Sequence, residues 1–267
     1  MKPEIRRPLI AGNWKMNIDH KEATLFMQKL AWLLEDHKYD AKVVETLLFV
    51  PFTDLRSVQT LVESDKVPVA YGGEDMSDKE SGAYTGDISV NMLKALGCTY
   101  VLIGHSERRK YHHETVELIL AKTKLALDQG LTPVLCVGDV SVDDTEGNPE
   151  DFTYSATQAA RDIERLGVTD LSKIVIAWEP AAAIGSGSAV EPEEIAKITK
   201  LIRSKVAEVV GEAEAEKLRI LYGGSVNKNL SRGIMAAEDC DGLLIGGASL
   251  DPIHFETIIR LTQADAV

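Results

Sequence analysis

The chain has 267 residues, 45% of them hydrophobic and 27% charged, a balance too apolar for a disordered chain and ordinary for a folded one. Its 42 Asp and Glu outnumber 29 Lys and Arg, and the resulting formal charge of −13 argues against a nucleic-acid partner, which would need a basic face. The length admits either two small domains or one α/β barrel of about 250 residues.

The opening residues carry charge but no apolar core or small-residue cleavage site, and no apolar run is long enough to span a bilayer. A cytoplasmic protein with no membrane partner is expected. Cys98, Cys136 and Cys240 are odd in number, widely spaced and free of CxxC or HxxxH patterns, so neither a disulfide framework nor a metal site is expected.

Along the chain, a β-branched apolar run starts at Pro8 (PLIAG) and gives way to Phe26, Leu30, Leu33 and Leu34, spaced as one face of a helix. A second run starts at Val43 (VVETLLFV), followed by the helical stripe Leu55, Val58 and Val62. A third begins at Val67 (VPVAY) and a fourth at Tyr100 (YVLIG), after which Val116, Ile119, Leu120 and Leu127 form another stripe. The fifth starts at Thr132 (TPVLCVG), and the acidic stretch 141–151 behind it reads as an exposed loop leading into a helix. The sixth run (KIVIAW, from Lys173) precedes the stripe Ile195, Ile198, Ile202, Val206 and Val209, and the last two begin at Arg219 (RILY) and Gly242 (GLLIG).

Several runs are almost uniformly apolar, as strands of a parallel sheet buried on both faces are. Alternation with one-sided helices implies right-handed βαβ units. Eight such runs with no linker or composition break predict an α/β chain closed into a single (β/α)8 barrel over residues 1–267.

In such barrels the active site lies at the C-terminal ends of the strands. Asn13, Trp14 and Lys15 follow the first run; Gly104, His105, Ser106, Glu107, Arg108 and Arg109 follow the fourth; Glu179 and Pro180 follow the sixth. Gly223, Gly224 and Ser225 follow the seventh, and Gly246 and Gly247 the eighth. Glycine pairs on adjacent strand ends let backbone N–H groups approach an oxyanion, so an anion site is expected there despite the acidic chain. Each pair alone would read as a tight turn. Lys15, His105 and Glu179 supply a cation, a neutral donor and a carboxylate base, a set suited to taking a proton from carbon beside a carbonyl. Glu107, Arg108 and Arg109 read mainly as an ion-pair and helix-start cluster.

Six motifs carry a resemblance: AGNWKMN (11–17), GAYTGDIS (82–89), GHSERR (104–109), WEPAAAIGSG (178–187), YGGSV (222–226) and GGASL (246–250). In this order they resemble the triosephosphate isomerase family from about Pro8 to Phe255. The resemblance implies a TIM barrel that interconverts dihydroxyacetone phosphate and D-glyceraldehyde 3-phosphate with no cofactor and no metal. It implies that Asn13 and Lys15 hold and polarise a phosphorylated sugar, that His105 is the electrophile and Glu179 the base, and that Glu107 supports the site. Gly185, Ser225, Gly246 and Gly247 match the family's phosphate-binding positions. A homodimer is implied as well, because GAYTGDIS resembles the loop that enters the partner subunit, bringing Thr85 near the other site. A helix starting just after His105 would disfavour the imidazolium. A lid over 180–190 would exclude water and strengthen the polar contacts beneath it.

The sequence also departs from the family. Trp178 stands for Tyr at the strand end, Ala181 and Ala182 for Val and Trp, Ser186 for Thr, Ser188 for Lys, and Asp139 for Glu. Glu74 takes a place usually held by Gln. The smaller Ala182 motivates an alternative, an isomerase of a four-carbon sugar phosphate such as erythrulose phosphate. A non-enzymatic binding barrel is disfavoured by the complete set of polar residues, and Schiff-base chemistry through Lys15 lacks any sign of a desolvated lysine.

Overall fold

The computed structural model describes residues 6–138, 153–180 and 190–266. Its strands are β1 (Leu9–Asn13), β2 (Glu45–Val50), β3 (Ala70–Gly73), β4 (Tyr100–Ile103), β5 (Thr132–Val137), β6 (Val175–Trp178), β7 (Arg219–Tyr222) and β8 (Gly242–Ile245). Each pairs in parallel with its sequence neighbour, and β8 returns to β1, so the expected eight-stranded barrel closes in chain order. Helices fill the crossovers: α1 (His20–Asp36), α2 (Leu55–Asp65), α3 (Val90–Ala95), α4 (Ser106–His112), α5 (Val116–Asp128) and α6 (Thr153–Leu166). After β6 come α7 (Pro192–Val210), α8 (Glu212–Ala215), α9 (Ser231–Met235) and the closing α10 (Pro252–Ala266). No helix among the described residues is long and apolar enough to cross a membrane.

The uniformly apolar strands serve two cores. Leu9, Ala11, Leu47, Phe49, Leu102, Val134, Cys136, Val175, Ala177 and Leu221 fill the barrel interior. Their alternates, among them Ile10, Leu48, Ile103, Leu135, Ile176 and Ile220, pack outward against the helix stripes, as the period of two in a strand requires. Side chains cap some of the helix starts: Asp19 and Glu22 form a capping box on α1, and Thr115 caps α5.

Two expectations shift. The third run begins at Val67, but β3 spans Ala70–Gly73. Pro68 has no N–H for a ladder, the Val69 N–H turns back to the Val67 carbonyl at 2.8 Å, and both valines pack in the outer core. Val209 continues the α7 stripe in sequence yet is 38% exposed, while its neighbour Val210 packs against the core.

The N-terminal end of the barrel is sealed by polar groups at strand starts. Glu45 accepts from Tyr100 Oη (2.9 Å) and Arg219 Nη1 (2.6 Å) and pairs with Arg7 (2.7 Å). Nearby, Asp241 is fully buried and accepts from Arg6 Nε (3.0 Å), Arg203 Nη2 (2.8 Å) and the Ile220 N–H (3.0 Å). Removing it would leave the buried Arg6 and Arg203 guanidinium groups to share Asp239, with Glu216 as a further partner of Arg6, and the Ile220 N–H without its acceptor. Asp241→Ala is therefore expected to destabilise the fold by about 3–5 kcal/mol, read as a loss of denaturant midpoint; an unchanged midpoint would contradict this account.

Candidate active site

At the C-terminal mouth, β1 ends on buried Asn13, whose Oδ1 accepts the Lys15 N–H at 3.1 Å. Lys15 lies in the left-handed region at φ 55°, where a side chain is accepted only if its surroundings fix it. Trp14 supplies part of that fixation: it is fully buried, meets Phe26 edge-on at 4.9 Å and donates from Nε1 to the Ser249 carbonyl at 3.2 Å. The turn thereby ties the mouth of β1 to that of β8. Lys15 Nζ donates to Glu107 Oε1 at 2.7 Å, a contact that fixes the lysine head over the mouth.

His105 follows β4 after Gly104 and caps α4, with Nδ1 accepting the Glu107 N–H at 3.2 Å. That bond assigns the ring proton to Nε2, which faces Glu179 Oε1 at 3.0 Å. Burial by itself lowers the His105 pKa, but the Glu179 carboxylate beside it holds the pKa above its ordinary value in this arrangement. The expected disfavour of imidazolium at the helix start thus acts through Nδ1 and is opposed through Nε2, a contact the sequence does not reveal. Arg108 pairs with Asp75 (2.9 Å) and Glu114 (2.6 Å), and Arg109 donates to the Gly104 and Cys136 carbonyls. These two arginines hold the framework, whereas Glu107 alone of the trio reaches Lys15.

Glu179 follows β6 and is buried, with Oε2 accepting the Ser106 N–H at 3.0 Å. Burial alone would raise its pKa, yet the His105 ring, the Ser106 N–H and Lys15 keep it below the ordinary carboxylate value. It is therefore ionised at neutral pH. The Cys136 thiol lies inside the barrel, where burial and the charge of Glu179 push its pKa up. Sequence reasoning passed over Cys136; its inward position on β5 was the one available signal.

Glycines complete the mouth for more than one reason. A Cβ at Gly223 would lie 3.0 Å from Glu179 Cγ, and one at Gly224 would lie 2.2 Å from the Tyr222 hydroxyl, so packing requires that pair. Gly247, by contrast, borders open space, as an anion cradle needs. Asn13, Lys15, His105, Glu179, Ser225, Gly246 and Gly247 line one cavity of about 370 Å³, within the size range of small-ligand sites. Lys15 is the one cation on its described lining. Gly185, Asp139, Ala181, Ala182, Ser186, Ser188 and the stretch 141–151 lie outside the described residues. Trp178 is fully buried and meets Tyr222 edge-on at 5.7 Å, and the Tyr222 hydroxyl accepts the Val190 N–H at 3.0 Å.

A carboxylate, an imidazole and an ammonium converging at the C-terminal mouth of a closed barrel define a (β/α)8 enzyme equipped for proton transfer on an anionic substrate. The triosephosphate isomerase family model matches residues 8–262. Proteins named triosephosphate isomerase from Leifsonia xyli subsp. xyli and Streptomyces coelicolor are each 48% identical over 255 residues, covering 96% of this chain and 97% of the relative. Another from Corynebacterium efficiens is 48% identical over 251 residues, 94% of each chain. The chain belongs to the triosephosphate isomerase family.

Proposed function

We propose that this barrel interconverts dihydroxyacetone phosphate and D-glyceraldehyde 3-phosphate through an enediolate, with Glu179 as the base. The observation that carries the reading is the buried Glu179 carboxyl 3.0 Å from His105 Nε2 in the cavity that also holds Lys15. Glu179 takes a proton from the carbon next to the carbonyl. The C–H electron pair becomes the C=C bond, and the carbonyl π pair moves to oxygen, where His105 Nε2–H and the Lys15 ammonium stabilise it. A proton then passes from the hydroxyl on the carbon that lost hydrogen to the enediolate oxygen, and return of the Glu179 proton to the neighbouring carbon re-forms a carbonyl one position along. Moving a proton within one molecule consumes no electron carrier, so the chemistry calls for no redox cofactor.

Asn13 holds Lys15 in place, Glu107 pairs with it, and the N–H groups around Ser225, Gly246 and Gly247 receive the phosphate, joined by Gly185 on family grounds. The names of the relatives favour this three-carbon substrate over the four-carbon alternative.

The same reading includes a homodimer acting in the cytoplasm, each copy a single barrel. Support for the dimer comes from exposed apolar side chains beside the mouth: Met16 is 98% exposed and Tyr111 65%, and with Phe52 they line a second cavity that also contains Lys15 and His105. An apolar patch bordering a site marks an interaction surface. The purified protein is expected to isomerise triose phosphate in a coupled assay and to scatter light as twice the chain mass. No turnover of either triose phosphate would refute the function, and a fully active monomer would refute the dimer.

A further inference from the structure

Glu179 is held by two neighbouring strand ends. Its carboxylate meets residues that follow β4: Oε2 accepts the Ser106 N–H at 3.0 Å and Oε1 faces His105 Nε2 at 3.0 Å. Its backbone hangs from the end of β5, where the Val137 carbonyl accepts the Glu179 N–H at 2.8 Å. Gly138, the next residue, presses against the Glu179 peptide. A Cβ there would lie 2.5 Å from the Glu179 carbonyl oxygen and 3.1 Å from Trp178 Cδ1, and its φ of 121° is one that glycine accepts without strain. The place of the Gly138 peptide therefore sets the place of the Glu179 backbone.

Gly138 lies one residue past the last β5–β6 pair, Val137 with Trp178, and its N–H donates to Gln158 Oε1 at 2.9 Å. Gln158 is fully buried on the inner face of α6. The bond settles the orientation of its amide, since only the oxygen can accept an N–H. The amide nitrogen, Nε2, is then buried without a hydrogen-bond partner among the described residues. Gln158 thus satisfies one backbone donor and strands its own, an exchange with little net gain in stability. What it does achieve is a fixed Gly138. A second long side chain acts two residues earlier, where Arg109 Nη2 donates to the Cys136 carbonyl at 2.9 Å. Together the two bracket Val137, whose carbonyl carries Glu179.

We propose that Gln158 is a positioning residue: its amide oxygen, through the Gly138 N–H, sets the backbone of Glu179 and so the aim of the carboxylate at the substrate carbon. The proposal rests on the assignment of Glu179 as the base. Gln158 is not on the described lining of the site cavity, so its effect falls on the chemical step and not on substrate affinity. Without its oxygen, Gly138 shifts against the Glu179 carbonyl while Ser106 and His105 still hold the tip of the side chain. The carboxylate then tilts about those contacts, and a displacement of about 1 Å from productive geometry is enough to lower a rate about a hundredfold.

The test compares Gln158→Met, which keeps the length of the side chain and removes the acceptor, with Gln158→Glu, which keeps an oxygen in the same place. Gln158→Met is expected to lower kcat for glyceraldehyde 3-phosphate by about tenfold to a hundredfold, while its affinity for glycerol 3-phosphate, measured by calorimetry, stays within about twofold of the wild type. Gln158→Glu is expected to restore kcat to within about threefold of the wild type. A folded Gln158→Met enzyme with wild-type kcat, whatever its thermal midpoint, would overturn the proposal and leave Glu179 as the base, since Gln158 would then be only structural. A glutamate variant no faster than the methionine variant, or a methionine variant whose loss lay in affinity, would overturn it as well. Should Gln158→Met fail to fold, Gln158→Asn, which draws the oxygen back by one methylene, takes its place with the same expected loss, and an asparagine variant at wild-type kcat overturns the proposal. Absence of turnover in the wild type would remove the assignment of Glu179 and this proposal with it.

Discussion

Glu179→Gln is expected to lower kcat about a thousandfold, within the range that general bases contribute, while the affinity for glycerol 3-phosphate changes by less than about threefold. The amide is close to the carboxylate in shape, so it keeps room beside Gly223 and can still accept the Ser106 N–H that now reaches Oε2. What it cannot do is take a proton. In the proposed function the phosphate end of the ligand is assigned to the glycine-lined mouth of β7 and β8, across the cavity from the substituted carboxyl. The resting carboxylate is held below its ordinary pKa by His105, Ser106 and Lys15 despite its burial, so it becomes more basic as it leaves those partners for the substrate carbon. Side-by-side measurement of kcat and of analogue binding by calorimetry separates chemistry from binding. A variant that turned over at near wild-type rate would remove Glu179 from the role of base.

Much of this site is legible because barrel closure follows a simple rule. Residues just past an apolar run arrive at one mouth whichever run they follow, so Asn13, Lys15, His105, Glu179 and Gly247 share a cavity although they come from distant parts of the chain. The start of α4 at Ser106 was likewise readable from the polar cluster behind the fourth run. The illegible parts depend on register and rotamer. Cys136 meets Glu179 because β5 and β6 pair with Cys136 opposite Ala177, and no spacing in the sequence encodes that offset. The Ser106 N–H on Glu179 and the Glu107 N–H on His105 are backbone groups, which carry no sequence signal. The displaced β3 shows the same limit: Val67 and Val69 have strand-like chemistry, and Pro68 together with the outer core decides against it.

Lys15→Ala is expected to raise KM about a hundredfold and to lower kcat as well. A charge-assisted hydrogen bond contributes about 1.5–3 kcal/mol, which corresponds to about 10- to 150-fold in affinity. Two features of this chain place the effect toward the upper end. Its formal charge of −13 repels an anionic substrate over long range, and Lys15 is the one cation on the described lining of the cavity. The substitution also strips Glu107 of the ammonium at 2.7 Å, leaving an uncompensated carboxylate that repels an anionic substrate through space. The loss therefore has two parts, an attraction removed and a repulsion exposed, and they can be separated. Glu107→Gln in the Lys15→Ala background removes the repulsion and is expected to recover about threefold to tenfold in KM, while kcat stays low because no ammonium faces the enediolate oxygen. In the presence of Lys15, Glu107→Gln breaks the ion pair and leaves the cation, so its effect on KM is smaller than that of Lys15→Ala. The resulting non-additivity in a double-mutant cycle measures how much of the lysine's contribution lies in neutralising Glu107. A Lys15→Ala enzyme whose KM stayed within threefold of the wild type would mean that backbone N–H groups alone hold the anion, and the role given to Lys15 would be lost.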